Sequence, residues 1–102
     1  LEAKPRPTAV VTSNGFEALG LMRALLPRGV RIPQDLSMAA CDDMQALALS
    51  TPPIDACRFG SGQLGLSAAR IALALAANQS VDSATVTGEF IPRGSIVEPA
   101  RL

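Results

Sequence analysis

Short apolar segments separated by polar turns dominate the first sixty residues. A β-branched run at residues 8–12 and two further apolar runs, at 36–41 and 54–59, have the length of buried strands. A later segment, 85–91, alternates well enough to be a fourth strand, and 95–97 is expected to resume an edge strand after the break at Pro92.

Three segments between these runs are expected to be helical. Residues 16–26 carry apolar side chains at 16, 19, 22, 25 and 26, the spacing of one helical face, and Pro27 and Gly29 end the helix. A short helix is predicted over 44–49 and a long one over 63–77, which is rich in Ala and Leu. Strands that alternate with helices predict an α/β fold with a mostly parallel sheet and flanking helices.

Composition narrows the class of protein. The chain has 102 residues, enough for one small domain, and its nine basic and nine acidic residues give no net charge. Direct DNA contact by this segment is not expected without a basic patch. No apolar run is long enough to span a bilayer. The first seven residues have the composition of a linker, so we expect a piece of a longer protein.

The cysteine and histidine counts argue against a metal centre. Cys41 and Cys57 lack the paired spacing of a zinc site, and the sequence has no histidine. We expect two buried free thiols in a cytosolic protein rather than a disulfide, and no metal or other cofactor.

Polar residues follow the first two predicted strands. Asn14 lies in the turn after the first strand, and Asp42 and Asp43 end the second. Ligands of open α/β sheets bind at the carboxyl ends of the strands, where Asp42 would accept hydrogen bonds and Asn14 would donate or accept them. Together they suit a polyhydroxylated or amine-bearing small molecule. The simpler role for Asn14 is that of a turn residue, and either Asn14 or Ser13 can cap the helix that follows. For Asp43, helix capping is the preferred role.

Catalysis is not predicted, so the chain is not expected to be an enzyme. The sequence has no histidine that could act as a general base, and it lacks the Gly-x-Ser-x-Gly motif that carries a nucleophilic serine. Asp42 and Asp43 leave open a magnesium-dependent phospho-acceptor or phosphatase-like domain. Such a domain would need a lysine on a later strand, whereas Lys4 precedes the first strand.

An ordered set of short segments resembles the C-terminal part of lac-repressor-type (LacI-family) transcription regulators. The set covers nearly the whole chain. In chain order, the matching segments are residues 7–14, 18–20, 23–25, 28–37, 42–43, 52–54, 64–65 and 93–95.

The resemblance implies a type I periplasmic-binding-protein-like fold, of which this chain is the C-terminal portion. Residues 1–58 would belong to the C-terminal effector-binding subdomain, 59–90 would cross over and pack a helix in the other subdomain, and 91–102 would form a return strand and tail. A sugar or sugar derivative would bind between the subdomains of a cytoplasmic homodimer, with DNA bound by a headpiece outside this chain. A transporter's solute-binding receptor is the alternative with the same architecture.

The resemblance also assigns individual residues. Asn14 and Asp42 would face the effector cleft, and Phe59, which stands where the family favours Gln, could stack on a sugar ring or a base. Gly15 stands where the family usually has Asp. A homodimer interface would include Leu19, Met22, Arg23, Ala46, Leu49 and Ser50.

Overall fold

The chain forms a four-stranded sheet with three α-helices and a short 3-10 helix (Leu26–Arg28) in a computed structural model, which describes residues 4–99. The strands are ordered β1-β2-β3-β4, and β1, β2 and β3 run parallel, as predicted. The elements are β1 (Ala9–Thr12), α1 (Gly15–Leu25), β2 (Ser37–Ala40), α2 (Gln45–Leu49), β3 (Asp55–Arg58), α3 (Ser61–Ala76) and β4 (Glu89–Ile91).

The register brings the carboxyl ends of the parallel strands to one edge. Thr12 of β1 is paired with Ala40, which is paired with Ala56 of β3 on its other side. The ladder between β1 and β2 continues one residue further, because the Cys41 N–H donates to the Thr12 carbonyl at 2.9 Å. The turns after β1 and β2 therefore leave the sheet side by side.

The core lies between this sheet and α1. The buried face of α1 is Ala18, Met22 and Leu25, spaced i, i+4 and i+7, and it contacts β1 and β2. Phe16, predicted to lie on the apolar face, is exposed, and Leu19 is half-buried, because the buried face is centred on Ala18. The remaining core side chains are Val30, Ile32, Leu36, Met38, Ala40, Leu47, Ile54 and Ala56.

The predictions for the end of the chain were partly wrong. Residues 85–88 form no strand, and β4 is limited to Glu89–Ile91. The segment 95–97 is not a strand either, although it lies along β2: the Met38 N–H donates to the Ser95 carbonyl at 2.9 Å and the Val97 N–H donates to Ser37 Oγ at 3.1 Å. The Val97 N–H is bonded to the Ser37 hydroxyl and not to a backbone carbonyl of β2, so the regular backbone hydrogen bonding of a strand is not formed there.

The cysteine prediction was half right. Both thiols are free, but Cys41 is exposed and Cys57 is half-buried. Side chains alternate along a strand, and the neighbouring Ala40 and Ala56 point into the core. The two cysteines therefore occupy the sheet face opposite the core, which explains why they are not buried.

The chain is divided into two compact units. The first comprises the residues up to Arg58 and those from Phe90 on, and the second is Phe59–Glu89. α3 belongs to the second unit and begins at Ser61, two residues before the predicted start, with none of its residues buried. In the part of the chain described, no helix is both long and apolar enough to cross a membrane.

Candidate functional site

The carboxyl edge of the sheet collects the polar residues singled out in the sequence. Asn14 follows β1 and Asp42 follows β2, and these two strands are neighbours, as the prediction required. Arg58 ends β3 at the same edge. The site therefore consists of three strand ends, each with at least one polar side chain.

Asn14 caps α1. Its backbone is extended, and its Oδ1 accepts a hydrogen bond from the Glu17 N–H at 2.9 Å. Glu17 reaches back to the residue before the cap: its Oε2 accepts from the Ser13 N–H at 3.0 Å and from Ser13 Oγ at 2.9 Å, whereas in a capping box it would accept from the N–H of Asn14 itself. The Asn14 amide nitrogen donates to Ser13 Oγ at 3.2 Å. Asn14 is thus the capping residue of the two that the sequence allowed, and the cap positions it at the edge of the sheet.

The two adjacent aspartates have different surroundings. Asp42 is exposed at the end of β2. The prediction that Asp43 caps α2 was wrong. The N-cap of α2 is Met44, whose side chain makes no capping hydrogen bond. The Asp43 side chain is 4% exposed and is held by two arginines instead. The Asp43 carboxylate is therefore paired with guanidinium groups and makes no capping bond to α2.

The ion cluster of Asp43, Arg58 and Arg93 joins three segments distant in sequence. Asp43 Oδ2 accepts hydrogen bonds from Arg58 Nε at 3.0 Å and from Arg58 Nη2 at 2.7 Å. Asp43 Oδ1 lies 2.7 Å from Arg93 Nη2, an ion pair that is not aligned as a hydrogen bond. Arg93 also donates from Nη1 to the Ile54 carbonyl at 2.8 Å. The cluster fastens the end of β3 and the return segment to the turn after β2.

Burial is the largest single influence on Asp43 and opposes its ionisation. The hydrogen bonds from Arg58 and the positive charges of Arg58 and Arg93 together outweigh burial, so the pKa of Asp43 lies below its usual value. Asp43 is therefore a carboxylate at neutral pH.

A second buried carboxylate, Asp55, was missed by the sequence analysis. Its Oδ1 accepts hydrogen bonds from the backbone N–H groups of Arg93, Gly94 (2.7 Å) and Ser95 (3.3 Å). Ser95 Oγ accepts from the Asp55 N–H at 2.7 Å and donates to the Met38 carbonyl at 2.6 Å. The available signal was an acidic residue inside an apolar strand segment, which needs buried partners.

Gly15 allows a close approach between α1 and the residue before α2. A Cβ atom at position 15 would lie 2.6 Å from Met44 Sδ and 2.7 Å from Met44 Cγ. Met44 thus fills the space that a side chain would need at a position where the family resemblance leads one to expect Asp.

Phe59 directly follows β3 as the first residue of the second unit, and its side chain is 44% exposed. The ring is therefore partly available for contact with another molecule.

The residues predicted for a dimer interface differ in exposure. Leu49 is 78% exposed, while Leu47 on the same short helix is completely buried. Met22 is 5% exposed and packs in the core, which leaves it little surface to offer a partner. Arg23 is exposed, and Leu19, Ala46 and Ser50 are half-buried. Ser50 Oγ is also engaged with the carbonyls of Leu47 and Pro52.

Residues 1–96 match the model of the periplasmic binding protein-like domain. The chain belongs to this family. Its relatives include the HTH-type transcriptional repressor PurR of Vibrio atlanticus, 36% identical over 72% of this chain and 22% of the relative. The PurR of Haemophilus influenzae is 32% identical over 88% of this chain and 28% of the relative. The chain thus spans about a quarter of the length of these curated relatives.

Solved structures of LacI-family regulators share the fold. A LacI-family regulator from Bifidobacterium animalis is 32% identical, with a TM-score of 0.84 over 98% of this chain and 37% of that chain. A sugar-binding LacI-family regulator from Escherichia coli is 25% identical, with a TM-score of 0.72 over 90% of this chain and 34% of that one. The dimeric lac repressor is 27% identical, with a TM-score of 0.74 over 92% of this chain and 35% of the repressor chain. The resemblance to LacI-type regulators and the predicted fold class are confirmed.

Proposed function

We propose that this chain is part of the effector-binding region of a LacI-type transcription regulator that senses a sugar or sugar derivative. The relatives with the matching sequence are transcriptional repressors, and one solved relative is described as sugar-binding. The effector favours one conformation of the regulator by binding it more tightly than the other.

Asp42 carries this proposal. It follows a parallel strand of an α/β sheet at the edge where ligands of such folds bind, and it is exposed. Its neighbour Asp43 is neutralised by two arginines, so Asp42 is the carboxylate of the pair that is open to a ligand. A carboxylate can accept two or more hydrogen bonds from sugar hydroxyls.

The rest of the assignment follows the family. We place residues 1–58 in the C-terminal subdomain, 59–90 in the crossover and helix of the other subdomain, and 91–102 in the return segment. In the complete protein, a headpiece outside this chain binds DNA, and the regulator acts in the cytoplasm as a homodimer. The described division at Arg58 and Phe90 supports these boundaries.

Substitution of Asp42 tests the site. In the complete protein, Asp42→Ala should weaken effector binding roughly tenfold to a hundredfold, the equivalent of losing about 1.5–3 kcal/mol from hydrogen bonds to a charged group. The measurement is calorimetric titration with a panel of sugars and nucleobases. Glu98→Ala is the matched control, because it removes an exposed carboxylate near Ser37, at the opposite end of β2.

The folding of both variants is checked by thermal unfolding. Unchanged affinity in Asp42→Ala, or equal losses in the two variants, would remove Asp42 from the site. Binding of a nucleobase instead of a sugar would keep the site and change the effector class. Phe59→Ala, measured on the same panel, tests whether its ring stacks on either ligand.

Two alternative functions are less well supported. A transporter's solute-binding receptor shares the architecture, but the matching relatives are transcriptional repressors. A magnesium-dependent phospho-acceptor would need both aspartates on the cation, whereas the two oxygens of Asp43 face Arg58 and Arg93. Among the described residues, no group of three or more metal-ligating side chains comes together.

A further inference from the structure

Cys41 directly follows β2 and Cys57 lies in β3, at the carboxyl ends of two adjacent parallel strands. Ala40 is the register partner of Ala56 on adjacent parallel strands. One residue further along both strands, the register sets Cys41 beside Cys57. The regular hydrogen bond from the Cys41 N–H to Thr12 shows that the geometry of β2 continues through Cys41.

The pair is fixed on both sides. The paired alanines precede it, and the ion pair of Asp43 with Arg58, at 2.7 Å, follows it. Both cysteines point to the same face, because Ala40 and Ala56 both point into the core on the other. Adjacent strands lie roughly 4.7–4.9 Å apart, which falls within the Cα separation of roughly 4.4–6.8 Å that disulfides span.

The two thiols also differ in access. Cys41 is exposed and Cys57 is half-buried, and both are free. An exposed thiol that reacts first, next to a second thiol that resolves the adduct, is the arrangement of oxidation-sensitive cysteine pairs.

We propose that Cys41 and Cys57 are a dithiol oxidation site, which a low-molecular-weight disulfide converts to an internal disulfide joining the ends of β2 and β3. The proposal does not depend on which effector the protein binds. The new bond would lie directly before Asp42 and directly before Arg58, so oxidation would constrain the edge that carries the candidate site.

The reaction is two thiol–disulfide exchanges. The Cys41 thiolate attacks one sulfur of the external disulfide, so the external S–S bond breaks, a mixed disulfide forms and one external thiolate leaves. The Cys57 thiolate then attacks the Cys41 sulfur, forming the internal disulfide and expelling the second external thiolate. Two cysteine thiols are oxidised and one external disulfide is reduced, and the two protons end on the released thiols.

The test treats the complete protein with glutathione disulfide and follows free thiols and peptides by mass spectrometry. No lysine or arginine lies between the two cysteines, so trypsin leaves both in one peptide. Digestion at aspartates separates them, because Asp42, Asp43 and Asp55 lie between them. We expect both thiols to be lost and the peptides containing Cys41 and Cys57 to be joined, with release by a reductant.

Two controls decide whether the fold brings the pair together. In Cys57→Ser, Cys41 should retain one glutathione as a stable mixed disulfide, and in Cys41→Ser the joined peptides should be absent. In concentrated urea, wild-type protein should form the link more slowly, because the ends of the 41–57 segment are no longer held together. This comparison needs no variant to fold.

Three outcomes would overturn the proposal. They are separate glutathione adducts on the two cysteines, disulfides between molecules, and an internal link that forms at least as fast in urea as in the folded protein. If Asp42→Ala binds the effector as tightly as wild type, the proposed effector site is wrong, but the oxidation experiment is unaffected. The first experiment measures ligand affinity and the second measures disulfide formation.

Discussion

At the scale of single residues, adjacent aspartates of identical chemistry have opposite surroundings. Asp42 is exposed, whereas Asp43 is buried between arginines that lie 15 and 50 positions further along the chain. The sequence analysis singled out both carboxylates and placed Asp42 correctly at the end of a strand. It predicted that Asp43 caps a helix, because capping rules consider only residues close in sequence. They give no information about ion pairs with arginines so far along the chain.

Asp43→Asn should destabilise the protein by about 2–3 kcal/mol at pH 7. The substitution leaves the Arg93 guanidinium, whose side chain is 12% exposed, without its counter-charge, and such losses are large for buried pairs. Urea unfolding at pH 7 measures the difference, and Glu98→Gln, an exposed carboxylate, is the control. Equal free energies of unfolding for wild type and Asp43→Asn would show that the cluster contributes nothing to stability.

The stabilising effect of the Asp43 cluster should also depend on pH. Because the folded-state pKa of Asp43 is lower than its unfolded value, near 4, the contribution is complete above that value and is lost as pH falls through the folded pKa. The gap in stability between wild type and Asp43→Asn should therefore narrow on acidification below about pH 4. A gap that stays constant down to pH 2 would contradict this coupling.

At the scale of elements, existence and order were predictable, but boundaries and buried faces were only partly so. A strand was predicted over 85–91, but the structure has one only at Glu89–Ile91. The segment 95–97 lies along β2 but is not a strand. A strand depends on a neighbour with free backbone groups, and here side chains such as Ser37 and Ser95 supply some of the bonds instead. Alternation of apolar and polar residues shows which side chains share a face of a strand. It does not show which groups will bond to the backbone of that strand.

The contact between α1 and Met44 gives a prediction at this scale. Gly15→Ala should destabilise the protein by about 1 kcal/mol, because the new Cβ overlaps Met44, whose flexible side chain must move. Gly20→Ala on the same helix meets nothing within 4 Å and should instead stabilise by up to about 1 kcal/mol. Thermal or urea unfolding measures both.

In a Met44→Ala background, the penalty for Gly15→Ala should largely disappear, since the overlapping atoms are gone. Equal effects of the two glycine substitutions in the wild-type background would refute the close approach.

At the scale of the whole molecule, apolar surface remains exposed on both units. Leu49 is 78% exposed on α2, and several leucines of α3 are more than half exposed. The family resemblance assigns the region around Leu49 to a homodimer, and the solved lac repressor to which this chain is similar is described as dimeric.

Leu49→Ser should raise the dimer dissociation constant of the complete protein roughly tenfold or more, the effect of losing about 1.4 kcal/mol of binding energy. Sedimentation velocity over a range of concentrations measures it. Phe16→Ser is the matched control, because Phe16 is also exposed but lies outside the predicted interface. Unchanged self-association in Leu49→Ser, or an equal change in both variants, would exclude Leu49 from the interface.

The sequence by itself determined the α/β class, the order of the first six elements, the turn at residues 13–15 with a cap at Ser13 or Asn14, and the position of Asp42 at a strand end. These properties follow from periodicity, turn chemistry and a small set of local hydrogen bonds. Only the tertiary structure decided the ion cluster around Asp43, the backbone bonds to Asp55, the close approach of Gly15 to Met44 and the register of β2 against β3. Each of these joins residues that lie many positions apart, and strand register and packing, which bring them together, are set by the folded chain as a whole.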